Sequence, residues 1–268
     1  MNKKPLFSII TVSYNSSKTI ERTIQSVLAQ TYTEYEYIII DGLSVDDTMK
    51  IVRRYEMQFH GRMRWISGKD KGIYDAMNKG IRMATGDIVG IVNSDDWLEK
   101  DALEKIYQCY VNNGHSLNAI YCGWIAFHYL NGDIQILRTN PKMLDRLSAH
   151  FVMGGIRHPA VFVPKLVYNE YGIFDDRMKV MADTDLILRY YFAGIQFCYP
   201  NKIISHMSDG GISNHQLLKA CNDYRLILQK YKMAKLTFYW LLYSWEIKRI
   251  IKTFMSAKFL YYYRQLRA

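Results

Sequence analysis

Glycine is missing where many nucleotide-binding chains need it. After the apolar run Phe7-Ser8-Ile9-Ile10-Thr11-Val12, the turn reads Ser13-Tyr14-Asn15-Ser16-Ser17. A triphosphate cradle or dinucleotide fingerprint needs glycines there, so that backbone can approach phosphate. Their absence argues against a sugar nucleotidyltransferase and a Rossmann dehydrogenase. Cysteine is also sparse. Cys109, Cys122, Cys198 and Cys221 are scattered and form no CxxC pair. They read as reduced core residues of a cytosolic chain, not as a disulfide framework or zinc site. No apolar run approaches the ~20 residues a spanning helix needs. The segment Met1-Asn2-Lys3-Lys4-Pro5 lacks the apolar stretch of a signal peptide, so export is not expected. Internal repeats and low-complexity linkers are absent as well.

What remains is an alternating pattern. At 268 residues the chain can form one large α/β domain, alone or with a small appendage. Residues 7–12, 37–40, 63–66 and 88–92 read as strands, the third of them weak. Helical spacing lies between them, with Ser16 or Ser17 opening one helix and Asp46-Asp47 the next. The segment from Ile73 to Ala84 reads as a third helix. Alternation of this kind predicts a doubly wound, mainly parallel sheet. The rhythm changes after about Ala102. Asn131-Gly132 marks a hairpin between 119–127 and 133–138. Residues 158–163 read as a strand, 182–192 as a helix, 195–204 as a late strand and 215–231 as a helix.

The stretch Ile88-Val89-Gly90-Ile91-Val92-Asn93-Ser94-Asp95-Asp96-Trp97 carries the most chemistry. A buried strand ends in two adjacent carboxylates, and open α/β sheets bind ligands at strand carboxyl ends. Adjacent acids repel unless positive charge joins them, and a divalent cation carrying a diphosphate suits that need. The plainer alternative is a solvated turn capping a helix near Leu98. Asp41 likewise reads either as a ligand contact or as the start of a turn with Gly42.

Four segments in order resemble the family 2 glycosyltransferases, inverting enzymes of the GT-A fold. They are Ser8-Ile9-Ile10-Thr11-Val12-Ser13-Tyr14-Asn15, Ile40-Asp41-Gly42-Leu43-Ser44-Val45-Asp46-Asp47-Thr48, Asp70-Lys71-Gly72-Ile73-Tyr74-Asp75-Ala76-Met77-Asn78-Lys79-Gly80, and Asn93-Ser94-Asp95-Asp96. His158-Pro159-Ala160-Val161-Phe162, Phe174-Asp175 and Ala182-Asp183-Thr184-Asp185-Leu186 with Arg189 fit downstream. The resemblance runs over roughly residues 5–215. Its wording is most similar to bacterial enzymes that build O-antigen, capsule or exopolysaccharide.

The resemblance implies a role for each matching residue. Thr11 and Asp41 would hold the base of a nucleotide sugar, with a UDP-linked donor expected. Asp70 would lie near base or ribose, and Asp95 near ribose or sugar. Asp96 would bind Mn2+ or Mg2+. Asn93 stands where the fuller pattern has an acid, so it can bond but adds no charge. Asp183 would be the catalytic base, with Asp185 as fallback; Ala182 replaces the glutamate of the family's Glu-Asp pair. His206, ahead of the loop Ser208-Asp209-Gly210-Gly211-Ile212-Ser213, would lie near metal or phosphate, or would be a loop histidine without a ligand. His158 would line the acceptor pocket or serve packing alone. Tyr74 and Met77 read as helix packing, and Asn78 as a donor contact or a bridge between loops.

The resemblance implies a catalytic domain over 1–215. Its nucleotide-binding half is 1–100 and its acceptor-side half 101–215. Residues 216–268 form a helical extension. The chain carries a net charge of +10, and eight basic residues against one acid lie between Lys232 and Ala268. There Leu236, Trp240, Tyr243, Ile247, Ile250, Ile251 and Phe254 recur at helical spacing. A basic amphipathic helix suits an anionic membrane surface, peripheral on the inner face of the cell membrane. A polyprenyl-diphosphate-linked saccharide acceptor fits that location. The same stripe also suits packing on this protein or on a second copy. Two other readings stay open. One is a non-catalytic nucleotide-sugar-binding relative that scaffolds an assembly complex. The other is a basic nucleic-acid-binding protein, which the acids at the strand ends oppose; nucleic acid is not an expected partner.

Overall fold

A computed structural model describes residues 5–139, 156–209 and 217–231. The first half alternates strand and helix as its periodicity requires. β1 (Phe7–Ser13), β2 (Tyr35–Asp41), β3 (Met63–Ser67) and β4 (Ile88–Ile91) lie in one sheet. α1 (Ile20–Leu28), α2 (Thr48–Glu56) and α3 (Ile73–Met83) connect them. These four strands are mutually parallel, in the order β3-β2-β1-β4. The order reverses between β1 and β4, and ligands of open α/β sheets bind in the crevice at such a reversal.

The second half extends the sheet and adds another. β6 (Ala119–Cys122), β9 (Val161–Pro164) and β10 (Gln196–Cys198) complete a seven-stranded sheet, ordered β10-β6-β9-β4-β1-β2-β3. β9 is antiparallel to both of its neighbours, so the sheet is mixed and mainly parallel. β5 (Trp97–Leu98), β7 (Trp124–His128), β8 (Ile134–Leu137) and β11 (Ile203–Ser208) form a four-stranded sheet, ordered β5-β11-β7-β8. α4 (Ala102–Asn112), α5 (Lys165–Tyr171), α6 (Ala182–Phe192) and α7 (Leu217–Lys230) are the remaining helices among the described residues.

Several expectations change in detail. Leu98 does not open a helix. Trp97 and Leu98 pair with His206 and Ser205 of β11, and the helix starts at Ala102. The first helix is preceded by Thr19, with no side-chain cap from Ser16 or Ser17. Residues 119–127 do not form one hairpin arm. The chain changes sheets at Gly123, where a Cβ would lie 2.0 Å from Ile204 Cγ1, so only glycine lets the two sheets meet there. The hairpin itself is β7–β8, closed by the Asn131-Gly132 turn. Residues 158–160 form a 3-10 turn before β9. The basic segment from Lys232 to Ala268 and the glycine loop 210–216 lie outside the described residues. Among the described residues no helix is long and apolar enough to cross a membrane.

Apolar alternation along β1 supplies two cores. Phe7 and Ile9 face α1, α2 and α4 with Ile24, Val52 and Ile106. Ile10 and Val12 face α3, α6 and α7 with Met77, Leu186 and Ile227. Burying such side chains contributes about 1.5–3 kcal/mol each. The three cysteines nearest the core, Cys109, Cys122 and Cys198, are buried free thiols.

At the centre of the sheet Gly90 lies opposite Phe162, whose ring would sit 2.4 Å from an added Cβ. Gly90→Ala therefore forces the ring off its rotamer beside β4. The expected cost is about 1–3 kcal/mol, read as a lower urea midpoint with an unchanged slope.

Candidate active site

The carboxyl ends of β1, β2 and β4 converge at the reversal point. Asp41, the last residue of β2, is fully buried opposite Ser13. Its carboxylate accepts from Ser13 Oγ (3.1 Å), Ser44 N (2.9 Å), Ser44 Oγ (2.5 Å) and Ser67 Oγ (2.6 Å). One ion thus ties together the ends of three strands. A base N–H reaching Asp41 would have to replace one of these donors. Gly42 follows, and a Cβ there would lie 2.7 Å from Asp70 Oδ2 and 3.4 Å from the Tyr14 ring. Asp70 also accepts from Gly72 N at 2.9 Å, just before α3. Asp41, Gly42, Tyr14 and Asp70 therefore form one mouth. Tyr14 is 65% exposed beside it, the only large ring so open in this part of the described chain.

Thr11 is not part of that mouth. It lies two residues short of the strand end and is fully buried. Its hydroxyl accepts from Tyr37 Oη at 2.9 Å inside the core. Ser13 occupies the position expected of Thr11, because β1 continues to the end of Asp41's register.

The second group follows β4. Asp96 is 1% exposed, and its carboxylate accepts from Asn93 Nδ2 (3.1 Å) and Ser208 N (3.3 Å). Burial, then the adjacent Asp95 charge, push its carboxyl well above the usual carboxylate range. Burial also raises Asp95, while the Arg22 guanidinium opposes the shift. Arg22 lies flat over Trp97 at 3.6 Å and donates to the Asp95 carbonyl and to Ser208 Oγ, both at 2.9 Å. Asn93 Oδ1 is buried without a partner. Two underneutralised carboxylates beside an unpartnered carbonyl oxygen are hard donors, the set that suits Mg2+ or Mn2+. Among the described residues no group of three or more His, Cys, Asp or Glu converges as a complete metal cage. An ion here would need donors from its ligand.

His206 does not join this group. Its Nε2 pairs with Glu99 at 2.7 Å and its Nδ1 with His128 Nε2 at 2.9 Å. Its ring stacks on Trp97 at 4.9 Å. Both nitrogens are spent on protein, because β11 pairs with β5 and brings Glu99 to it.

The third group opens α6. Asp183 keeps some surface exposed, yet burial dominates and raises its carboxyl to about 6. Thr184 N donates to it at 2.7 Å. Tyr74, on the first turn of α3, donates to the Val180 carbonyl at 2.6 Å and is itself raised by burial and by the Asp183 charge. Phe174 stacks on Tyr74 at 5.5 Å and meets His158 edge-on at 5.3 Å. Burial holds His158 down at about 4, so it is neutral at physiological pH. Asn78 fixes Phe174 by a reciprocal pair, donating to its carbonyl (2.9 Å) and accepting from its N–H (3.0 Å). Asn78 is thus the bridge between loops.

Asp185 is not available as a fallback base. It is fully buried and paired with Arg189 Nη2 (2.7 Å), Lys230 Nζ (2.7 Å) and Tyr231 Oη (3.1 Å). One helical register leaves Asp183 half-buried and turns Asp185 to the core. Helix α7, expected to belong to an extension, packs on α6 through these bonds. Sequence reasoning missed Ser13, Arg22, Ser208 and Asp223. Only Asp223 left a signal, an acid on the apolar stripe Ala220, Tyr224, Ile227, Leu228.

Comparison with known proteins now has a geometry to meet. Residues 8–162, more than half of the chain, match the family described as Glycosyl transferase family 2. Chondroitin synthase of Escherichia coli is 43% identical over 104 residues, covering 39% of this chain and 15% of that protein. This chain thus spans a small part of that relative's length. A PGL/p-HBAD biosynthesis glycosyltransferase of Mycobacterium tuberculosis is 27% identical over 218 residues, covering 78% of this chain and 80% of the relative. Staphylococcus aureus TarS 1–349, solved with UDP-GlcNAc, has a TM-score of 0.68 at 20% identity, covering 86% of this chain and 67% of that one. The mannosyltransferase PcManGT from Pyrobaculum calidifontis, solved with GDP-Man and Mn2+, has a TM-score of 0.61 at 17% identity, covering 85% and 64%. The two structures share the fold, GT-A. This chain belongs to glycosyltransferase family 2.

Proposed function

We propose that this glycosyltransferase inverts the anomeric centre of a UDP-linked hexose or N-acetylhexosamine and delivers it to a lipid-linked saccharide in bacterial surface-polysaccharide assembly. The observation that carries the reading is the division of acids. Asp95 and Asp96 crowd one turn beside the unpartnered Asn93 oxygen. Asp183 lies apart, with its own raised carboxyl. Single displacement needs two such places, one for a leaving diphosphate and one for an attacking hydroxyl.

Each group then has a task. The mouth of Asp41, Gly42, Tyr14 and Asp70 receives the nucleoside. Asp96 and Asn93 Oδ1 would hold Mn2+ or Mg2+, which when bound supplies positive charge for the diphosphate. TarS was solved with UDP-GlcNAc and PcManGT with Mn2+, which supports both assignments. Asp183 takes the proton of the acceptor hydroxyl as its oxygen bonds to the anomeric carbon. The bond from that carbon to the diphosphate oxygen breaks on the opposite face. An α-linked donor gives a β-linked product. The basic segment 232–268 would hold the enzyme at the anionic inner face of the cell membrane, where such an acceptor lies.

Five outcomes test the reading. In calorimetry, Asp96→Ala removes the part of UDP binding that depends on Mn2+; unchanged Mn2+ dependence refutes the metal assignment. Asp183→Asn keeps UDP binding and loses UDP release from sugar donors across a donor and lipid-acceptor panel. In the wild type that release falls about tenfold per pH unit below about 6, because the base must be ionised. The raised pKa also means that Asp183 costs stability progressively as pH rises from about 4 to about 6, and the full cost is present above 6. Asp183→Asn should therefore raise stability at neutral pH by on the order of 1–3 kcal/mol. Deleting residues 233–268 should leave UDP binding intact and abolish co-sedimentation with anionic vesicles; undiminished co-sedimentation counts against the membrane role.

A further inference from the structure

Asp223 lies on α7 and is 4% exposed. Its Oδ2 accepts three consecutive backbone N–H groups, from Lys179 (2.8 Å), Val180 (2.7 Å) and Met181 (3.1 Å). These residues are the last before α6, and Asp183 is its second residue. A buried carboxylate held by three backbone donors is a strong, charge-assisted anchor. The same segment is gripped from the other side, where Tyr74 Oη donates to the Val180 carbonyl at 2.6 Å. The entry to α6 is thus clamped between α3 and α7, two residues ahead of Asp183.

We infer that Asp223 is a positioning residue: it holds 179–181 and so fixes where Asp183 points and what charge it feels. The inference rests on the proposed reading of Asp183 as the base. Three groups bear on the Asp183 carboxyl from packed elements. Thr184 donates from its own helix, Tyr74 on α3 interacts with its charge, and the Asp223 charge reaches it from α7. Of these, only Asp223 adds negative charge, which favours the protonated form of Asp183. Lys230 and Arg189 are engaged by Asp185. The clamp would also select geometry. A loose entry leaves Asp183 free to rotate away from the acceptor hydroxyl, and small displacements of a base are costly to rate.

The test uses Asp223→Asn in the full chain, with UDP calorimetry to show that the nucleotide half is unchanged. Asparagine keeps the shape and one acceptor oxygen but removes the charge. Amide exchange across 179–181 should rise roughly tenfold or more, the loss expected when bonds to a charged acceptor become neutral. The Asp183 carboxyl, followed by carbon-13 NMR and assigned with Asp183→Asn, should titrate at lower pH than in the wild type. A residue that merely supported packing would leave that midpoint in place. Wild-type exchange at 179–181, or an unmoved midpoint, overturns the inference. So does a wild-type protein whose three amides are already unprotected, a result that needs no variant to fold. If both readouts move while UDP release from UDP-GlcNAc stays at the wild-type rate, Asp223 keeps its assignment and the reading of Asp183 as base falls.

Discussion

Two adjacent carboxylates at a strand end, Asp96 buried and Asp95 half-buried, are the constraint around which this molecule is arranged. Asp95 and Asp96 raise each other's cost of ionisation, and burial multiplies it. Every nearby element answers that charge. Arg22 reaches across from α1, Ser208 donates from β11, and Asn93 offers its amide hydrogen. The small sheet exists partly to make this possible, since β11 reaches Asp96 only by pairing with β5 directly after it. The compensation is incomplete, and an incomplete one leaves the turn ready for a cation and an anion together.

The nucleotide and acceptor sides are coupled through α3. Its approach carries Asp70, which lies over Gly42. Its first turn carries Tyr74, which grips the segment before Asp183. Its second carries Asn78, which fixes Phe174 as a paired strand would. One helix thereby spaces the mouth around Asp41 from the entry to α6, and rigid elements hold such spacing better than loops do.

The sequence disclosed the nucleotide half well because its physics is local. β-branched runs, alternating faces and acids at strand ends are short-range signals, and they mark Asp41, Asp95 and Asp96; Asp70 is marked by the family resemblance alone. Thr11 was misplaced because the strand runs one residue beyond its apolar run, to Ser13, and only register shows that. Asp183 and Asp185 are two residues apart, and the resemblance puts Asp183 first with Asp185 as fallback. The helix phase separates them, and that phase is set by Lys230 and Tyr231, some forty-five positions away. His206 had no partner visible in the sequence, since Glu99 and His128 come to it only through strand pairing. The change of sheet at Gly123 was equally silent, for its cause is the distant Ile204 side chain.

The three-way grip on Asp185 has a practical side. The stretch with recognisable family character ends at residue 162, and even a generous reading stops near 215. A fragment cut near 215 would keep Asp185 and Arg189 and lose Lys230 and Tyr231. Asp185 would then be an ion buried beside Arg189 with half its company gone, at a cost of several kcal/mol. The stable unit of this fold therefore extends at least to Tyr231.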